Sequence, residues 1–225
     1  MGNGIETKIA QYADDTVLFM DNTAGSIIGA LEELETFSNM SGLKLNIEKT
    51  SCMSFGPNEL NDDVNNLGIN WVDKMKVLGV FFPKDIDNIS EININPKLVQ
   101  IRKEIDQWKR RHVTSIGRIT VVKSLIMSKL VHLLIALPNP PLKLIKEMEQ
   151  MFFHFVWGGK RDPLKRNMIT QKYENGGLCM IDVTAFINSM KLSWLRKLIF
   201  SQSLWAQLID LEIGGAQKIL CFGTA

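Results

Sequence analysis

The sequence predicts an α+β chain with its strands first and its helices after them, on three observations. Apolar and polar residues alternate through much of the first 95 positions, the signature of half-buried strands. From Pro96 the apolar residues recur at helical spacing instead. The charge also changes sign: residues 1–70 hold 3 basic and 11 acidic side chains, net −8, whereas residues 97–172 hold 16 and 5, net +11. These shifts divide the chain into 1–95, a strand-rich part; 96–160, a helical bundle; and 161–225, a further helical segment.

Taken in order, Gly2-Asn3-Gly4 is a turn signal, and Ile5, Thr7 and Ile9 alternate with Glu6 and Lys8 as a strand does. That strand runs into Gln11-Tyr12-Ala13-Asp14-Asp15-Thr16-Val17-Leu18-Phe19, two β-favouring runs around two acids, which reads as a hairpin with the acids at its tip. Ile27, Ile28, Leu31, Leu34 and Phe37 form a helical face between a cap at Asn22 or Thr23 and a stop at Gly42. Leu43-Lys44-Leu45-Asn46-Ile47 alternates as a strand, continued after Glu48 by residues 49–55. The Asn-, Asp- and Gly-rich residues 56–70, with Pro57, read as a surface excursion. Met75 to Phe82 is a short β run whose internal Gly79 marks a bulge or a close backbone approach.

The first helix of the basic half carries Leu98, Ile101, Ile105 and Trp108. A second runs from Ser115 to Leu137 and stops at Pro138-Asn139-Pro140-Pro141. The third, from Leu142 to Gly158-Gly159, buries Ile145, Met148, Phe152, Phe155 and Val156, so a three-helix bundle is the simplest packing. Arg161 to Arg166 is a basic loop, Gly176-Gly177-Leu178 a turn into a short strand, and Thr184 to Phe200 a further helix, with one more short helix after residue 200.

Two neighbouring carboxylates between packed strands are costly to desolvate without a cation, which directs attention to divalent metal and phosphate chemistry. Asp-Asp is also ordinary turn chemistry. Cys52, Cys179 and Cys221 are odd in number and lack zinc or disulfide spacing, so they read as reduced thiols of a cytosolic or nuclear chain. His112, His132 and His154 are scattered and fit packing or surface roles. No secretory leader opens the chain, and the most apolar stretch, 125–137, is broken by Lys129 and His132, so neither secretion nor membrane spanning is expected.

In order along the chain, Tyr12-Ala13-Asp14-Asp15, Gly42-Leu43-Lys44-Leu45-Asn46 with Lys49-Thr50, Val77-Leu78-Gly79-Val80, and then Trp108, Gly117-Arg118-Ile119, Lys123-Ser124, Phe155-Val156-Trp157 and Gly176-Gly177-Leu178 together resemble the reverse transcriptases of non-LTR, LINE-type retrotransposons. The resemblance covers about residues 5–200 and implies the C-terminal part of a right-hand polymerase palm followed by an all-α thumb. It also implies nucleotidyl transfer with two Mg²⁺ ions, an RNA template, a DNA primer and a deoxynucleotide. Asp14 would be the ligand shared by both ions and Asp15 its support. Lys49 matches the family's lysine near the leaving pyrophosphate, with an ordinary solvated strand-end lysine as the alternative. Leu78, Gly79 and Val80 match the primer grip.

The basic segment favours phosphate contact over plain solubility, with Lys109, Arg110, Arg111, Arg118 and Lys123 as the leading residues. Trp108, Trp157 and Trp194 sit on apolar stripes and are read as core rather than as base-stacking platforms. The family's first catalytic aspartate lies on a strand upstream of the Asp14-Asp15 hairpin, and Glu6 does not replace it. The expectation is therefore a fragment that does not polymerise alone, or else a non-catalytic nucleic-acid-binding remnant. Residues 1–95 are expected to be the less stable part and prone to association.

Overall fold

The computed structural model describes residues 8–21, 23–55, 68–201, 203, 205–207 and 209. Small β elements precede helices, the α+β order expected, and the chain divides into two compact units, Met1–Ile86 and Asp87–Ala225. The turn at residues 2–4, the strand entry with Glu6, most of the 56–70 excursion and most of the segment after 200 lie outside the described residues.

In the first unit, β1 (Ile9–Tyr12) and β2 (Asp15–Leu18) pair antiparallel, with Tyr12 opposite Asp15 and Ile9 opposite Leu18. Helix α1 (Ala24–Ser41) follows because both ends are capped. Thr23 Oγ1 accepts from Ser26 N at 3.3 Å, and Gly42, at φ 75°, donates its N–H to Ser38 O. Hydrogen bonds from Ser26 and Thr23 hold the Asp21 carboxyl below its usual range. Ile27 of α1 meets Ile69, with Ala24, Leu31, Cys52 and Trp71 around them. There β3 (Ser51–Cys52) runs parallel to β4 (Asn70–Trp71), and burial pushes the Cys52 thiol up.

Two expectations fail in this unit. Leu43 to Ile47 is not a strand: residues 42–46 are irregular and Ile47–Lys49 is a single tight turn, capped by Asn46 Oδ1 accepting from Lys49 N at 3.1 Å. Alternation makes a strand only where a neighbouring edge accepts its backbone. Here none does among the described residues, and Asn46 offers the backbone a local turn instead. The second failure is Met75 to Phe82, which is not one bulged run. It is a hairpin of β5 (Lys74–Val77) and β6 (Val80–Pro83), with Val77 opposite Val80. Its two-residue loop, Leu78 at φ 48° and Gly79 at φ 85°, has the paired positive φ angles of a type I′ turn, whose twist suits a hairpin.

The helical unit begins at Ile89, earlier than the pattern predicts. Helix α2 (Ile89–Lys109) runs through Pro96, whose exposed position leaves Ile89, Ile94, Leu98, Ile101 and Ile105 free to be buried. Ser90 and Asn93 are buried with their polar groups satisfied: Ser90 Oγ donates to Pro138 O at 3.3 Å and Asn93 Nδ2 to Ile89 O at 2.9 Å. The expected helix from Ser115 to Leu137 forms in two pieces, α3 (Ser115–Val121) and α4 (Ser128–Ala136). A wide turn at Val122–Ile126 joins them, and the axis bends by 45°. That turn, closed by Met127 N donating to Val122 O at 2.9 Å, slips the register so that Ile119, Val122, Ile126, Leu130 and Leu134 all reach the core.

Helix α5 (Leu142–Val156) buries the face predicted for it and stops at Gly158 and Gly159, at φ 65° and 86°. After the short α6 (Arg166–Ile169), residues 177–182 form no strand. Instead Leu178 N and Met180 N both donate to Ile169 O at 3.0 Å, folding the segment back on α6. A Cβ on Gly177 would lie 2.1 Å from Gln171 O, so this reversal admits only glycine. Helix α7 (Val183–Phe200), capped by Asp182 Oδ1 on Ala185 N, packs on α4 and α5, giving the bundle one more helix than the three expected. No single helix among the described residues is long and apolar enough to cross a membrane.

Candidate active site and nucleic-acid interface

The carboxylate pair sits where the β1–β2 ladder reverses. Ala13 and Asp14 are the loop residues, and Asp15 opens β2 opposite Tyr12. Ala13 has φ 54°, a left-handed conformation costing a non-glycine residue about 1–2 kcal/mol. A two-residue hairpin demands that conformation, and the demand keeps both acids at the reversal. Asp14 and Asp15 are exposed and, among the described residues, neither is spent in an ion pair.

Two unpaired oxygen donors suit a hard divalent cation, and Mg²⁺ typically takes one or two protein carboxylates with phosphate and water completing its shell. The donor chemistry therefore fits the implied metal. Among the described residues no cluster of three or more His, Cys, Asp or Glu gathers elsewhere to hold one.

Other expected site residues sit apart from the pair. The tight turn Ile47–Lys49 carries exposed Lys49, and this turn shares no strand ladder with β1–β2. Leu78 and Gly79 form the reversal of the second hairpin, and Val80, beside them, is buried. On one face of that hairpin the Phe81 ring lies under two lysines, Lys74 Nζ at 4.7 Å and Lys76 Nζ at 5.5 Å. Apolar alternation over 75–82 gives no signal for these lysines, because it marks a single strand rather than a hairpin.

Residues 2–82 match the family described as reverse transcriptase (RNA-dependent DNA polymerase). Both hairpins fall within that span, Asp14 and Asp15 near its start and Leu78 to Val80 near its end. Enzymes of the reverse transcriptase family generally use a divalent metal and bind an RNA template with a DNA primer.

In the helical unit the five expected phosphate-binding residues separate by environment. Lys109 pairs with Asp106 at 2.9 Å, Arg110 is exposed at the end of α2, and Arg111 stacks its guanidinium on Trp108 at 4.4 Å. Lys123 is exposed on the wide turn between α3 and α4. Arg118 differs from all of them: it is half-buried, its Nη1 donates to Phe155 O at 3.1 Å, and its Nε has no partner. That guanidinium caps the C-terminal end of α5, where a cation also complements the helix dipole, so its visible work is structural.

Trp108, Trp157 and Trp194, expected in the core, are half-buried. Trp194 Nε1 donates to Ile135 O at 3.2 Å, and its ring meets Trp205 edge-on at 5.3 Å. Trp157 Nε1 is buried without an acceptor.

Proposed function

We propose that this chain is the C-terminal palm and thumb portion of a LINE-type reverse transcriptase. The observation that carries the reading is a pair of adjacent carboxylates at a hairpin reversal, exposed and in no ion pair among the described residues, inside the span matching the reverse transcriptase family. Asp14 would hold the metal directly and Asp15 would steady it from the first position of β2. When bound, the ions stabilise the attacking 3′ oxygen of the primer and the oxygen leaving the nucleotide. Lys49 would offset charge on the leaving pyrophosphate, and the Leu78-Gly79-Val80 turn would hold the primer backbone. Lys109, Arg110, Arg111 and Lys123 would contact phosphates of the template–primer duplex.

One pair of carboxylates is a partial donor set for two ions, so the 225-residue chain alone should bind template–primer but not extend it. Extension would need a further carboxylate, supplied within a longer reading frame. The test adds labelled deoxynucleotide, Mg²⁺ and an RNA template with a DNA primer. No incorporation is expected from the chain itself, whereas a longer frame carrying an upstream aspartate should incorporate and lose that activity on Asp14→Ala. Incorporation by the isolated chain that disappears on Asp14→Ala would overturn the inactivity, and an active longer frame indifferent to Asp14→Ala would overturn the site.

A second reading, a nucleic-acid-binding remnant without catalysis, draws on the same incomplete donor set. It predicts salt-sensitive binding unchanged by Asp14→Ala and no incorporation from any longer frame.

A further inference from the structure

An open groove of about 750 Å³ runs between α2, α5 and the loop that follows α5. Four cations line it, Arg102, Lys160, Arg161 and Arg166, against two carboxylates, Glu147 and Asp162. Both carboxylates are already matched: Arg102 Nη2 lies 2.5 Å from Glu147 Oε1, and Arg166 Nε lies 2.7 Å from Asp162 Oδ2. A guanidinium carries five N–H donors, so each of these arginines keeps several, on a side chain its carboxylate partner has already oriented. Lys160 and Arg161 have no carboxylate partner among the described residues, which leaves the groove with a surplus of positive charge.

The chain reversal after α5 keeps that surplus available. Helix-end carbonyls ordinarily attract nearby cations, but here they have other partners. Trp157 N donates to Phe153 O, Gly158 N to Phe155 O and Gly159 N to His154 O, at 3.1, 3.1 and 2.8 Å, and Arg118 adds a second donor to Phe155 O. The reversal depends on glycine: Gly158 has φ 65°, and a Cβ there would fall 2.6 Å from Arg118 Nη1.

We infer that this groove takes the phosphodiester backbone of a nucleic-acid strand, an inference that rests on the nucleic-acid role proposed above and adds a site to it. Lys160 and Arg161 contact the phosphates, and the remaining donors of Arg102 and Arg166 orient them. Guanidinium forks match pairs of phosphate oxygens. The cations are spread along an open groove, so a single small anion would stay hydrated, whereas a strand sums several contacts. A protein partner is disfavoured because the only large apolar side chain in the lining is Met151, too little for the buried anchor such interfaces use.

The test measures fluorescence anisotropy of a labelled single-stranded RNA with the full chain across a salt series. Lys160→Gln/Arg161→Gln, on an exposed loop, should weaken binding about 10-fold at low salt. The salt slope should flatten by about 1.4, two phosphates at about 0.7 each. Glu147→Gln, which removes a competing carboxylate from Arg102, should tighten binding, and Lys172→Gln, exposed and outside the groove, should leave it unchanged. The inference is overturned if the double variant keeps wild-type affinity and slope. It is equally overturned if inorganic phosphate or polyglutamate displaces the RNA as well as unlabelled strand does. A silent groove variant beside a Lys109→Gln/Arg110→Gln/Arg111→Gln variant that loses binding would sink the groove and leave the proposed function standing.

Discussion

The two units of this chain draw on similar residues and bury them very differently. Among the described residues, Ile27, Ile69, Val80 and Pro83 are the buried apolar side chains before residue 87, and all the others lie from Ile89 onward. The first unit leaves Tyr12, Phe19, Phe37, Met40, Leu43 and Phe55 exposed. What separates the units is the reach of their hydrogen bonds. A helix satisfies its own backbone and needs only a neighbour for its apolar stripe, whereas a strand needs another strand before its side chains have a surface to cover. Among the described residues of the first unit, three two-stranded ladders stand separately, and pairs of strands hide little apolar area.

The largest test of this contrast compares two phenylalanines. Phe152, fully buried on α5, should cost about 3–5 kcal/mol when replaced by alanine, whereas Phe37→Ala on the exposed face of α1 should change stability by less than about 0.5 kcal/mol. Urea unfolding followed by circular dichroism reads both, and equal losses would erase the distinction. A smaller effect is expected at Arg118. Replacing it with leucine removes a donor from Phe155 O and a cation from the end of α5, a loss of about 1–3 kcal/mol, and should leave salt-dependent RNA binding in place. If RNA binding fell while stability held, Arg118 would return to the phosphate-contacting set.

The first unit should respond in the opposite direction to a turn substitution. Ala13→Gly relieves a positive φ and should raise the stability of that unit by up to about 1 kcal/mol, read as increased amide protection in β1 and β2. The smallest effect is a pH dependence at Lys191, where burial holds the amine below its usual 10.5. Between the folded and unfolded values the unfolded chain carries the extra proton, so stability rises as pH climbs through that window. Lys191→Met should flatten that slope when unfolding curves are compared across the alkaline range below 10.5.

What the sequence made legible follows the same division. Thr23, Gly42, the proline run at 138–141 and Gly158-Gly159 announced helix ends correctly, because caps and breakers act within a few residues. The Asp14-Asp15 reversal was legible for the same local reason. Leu43 to Ile47 was misread because alternation records only what a strand would bury, and the edge it must pair with lies elsewhere in the chain. The hairpin at 74–83 was hidden because Leu78, a residue rarely found at positive φ, occupies a loop position where asparagine would have signalled the turn. Arg118 and the groove cations could not be sorted by composition. Whether a guanidinium meets solvent or the carbonyl of Phe155 depends on a contact 37 residues away.

One carbonyl of α4 fastens α7. Ile135 O accepts from both Trp194 Nε1 and Lys191 Nζ, and the same ammonium also reaches Leu137 O. Sliding α7 by a single turn would withdraw both donors together, since they stand three residues apart on one side of the helix. The consequence is a register latch: a one-turn slip takes both of these donors from the Ile135 and Leu137 carbonyls at once.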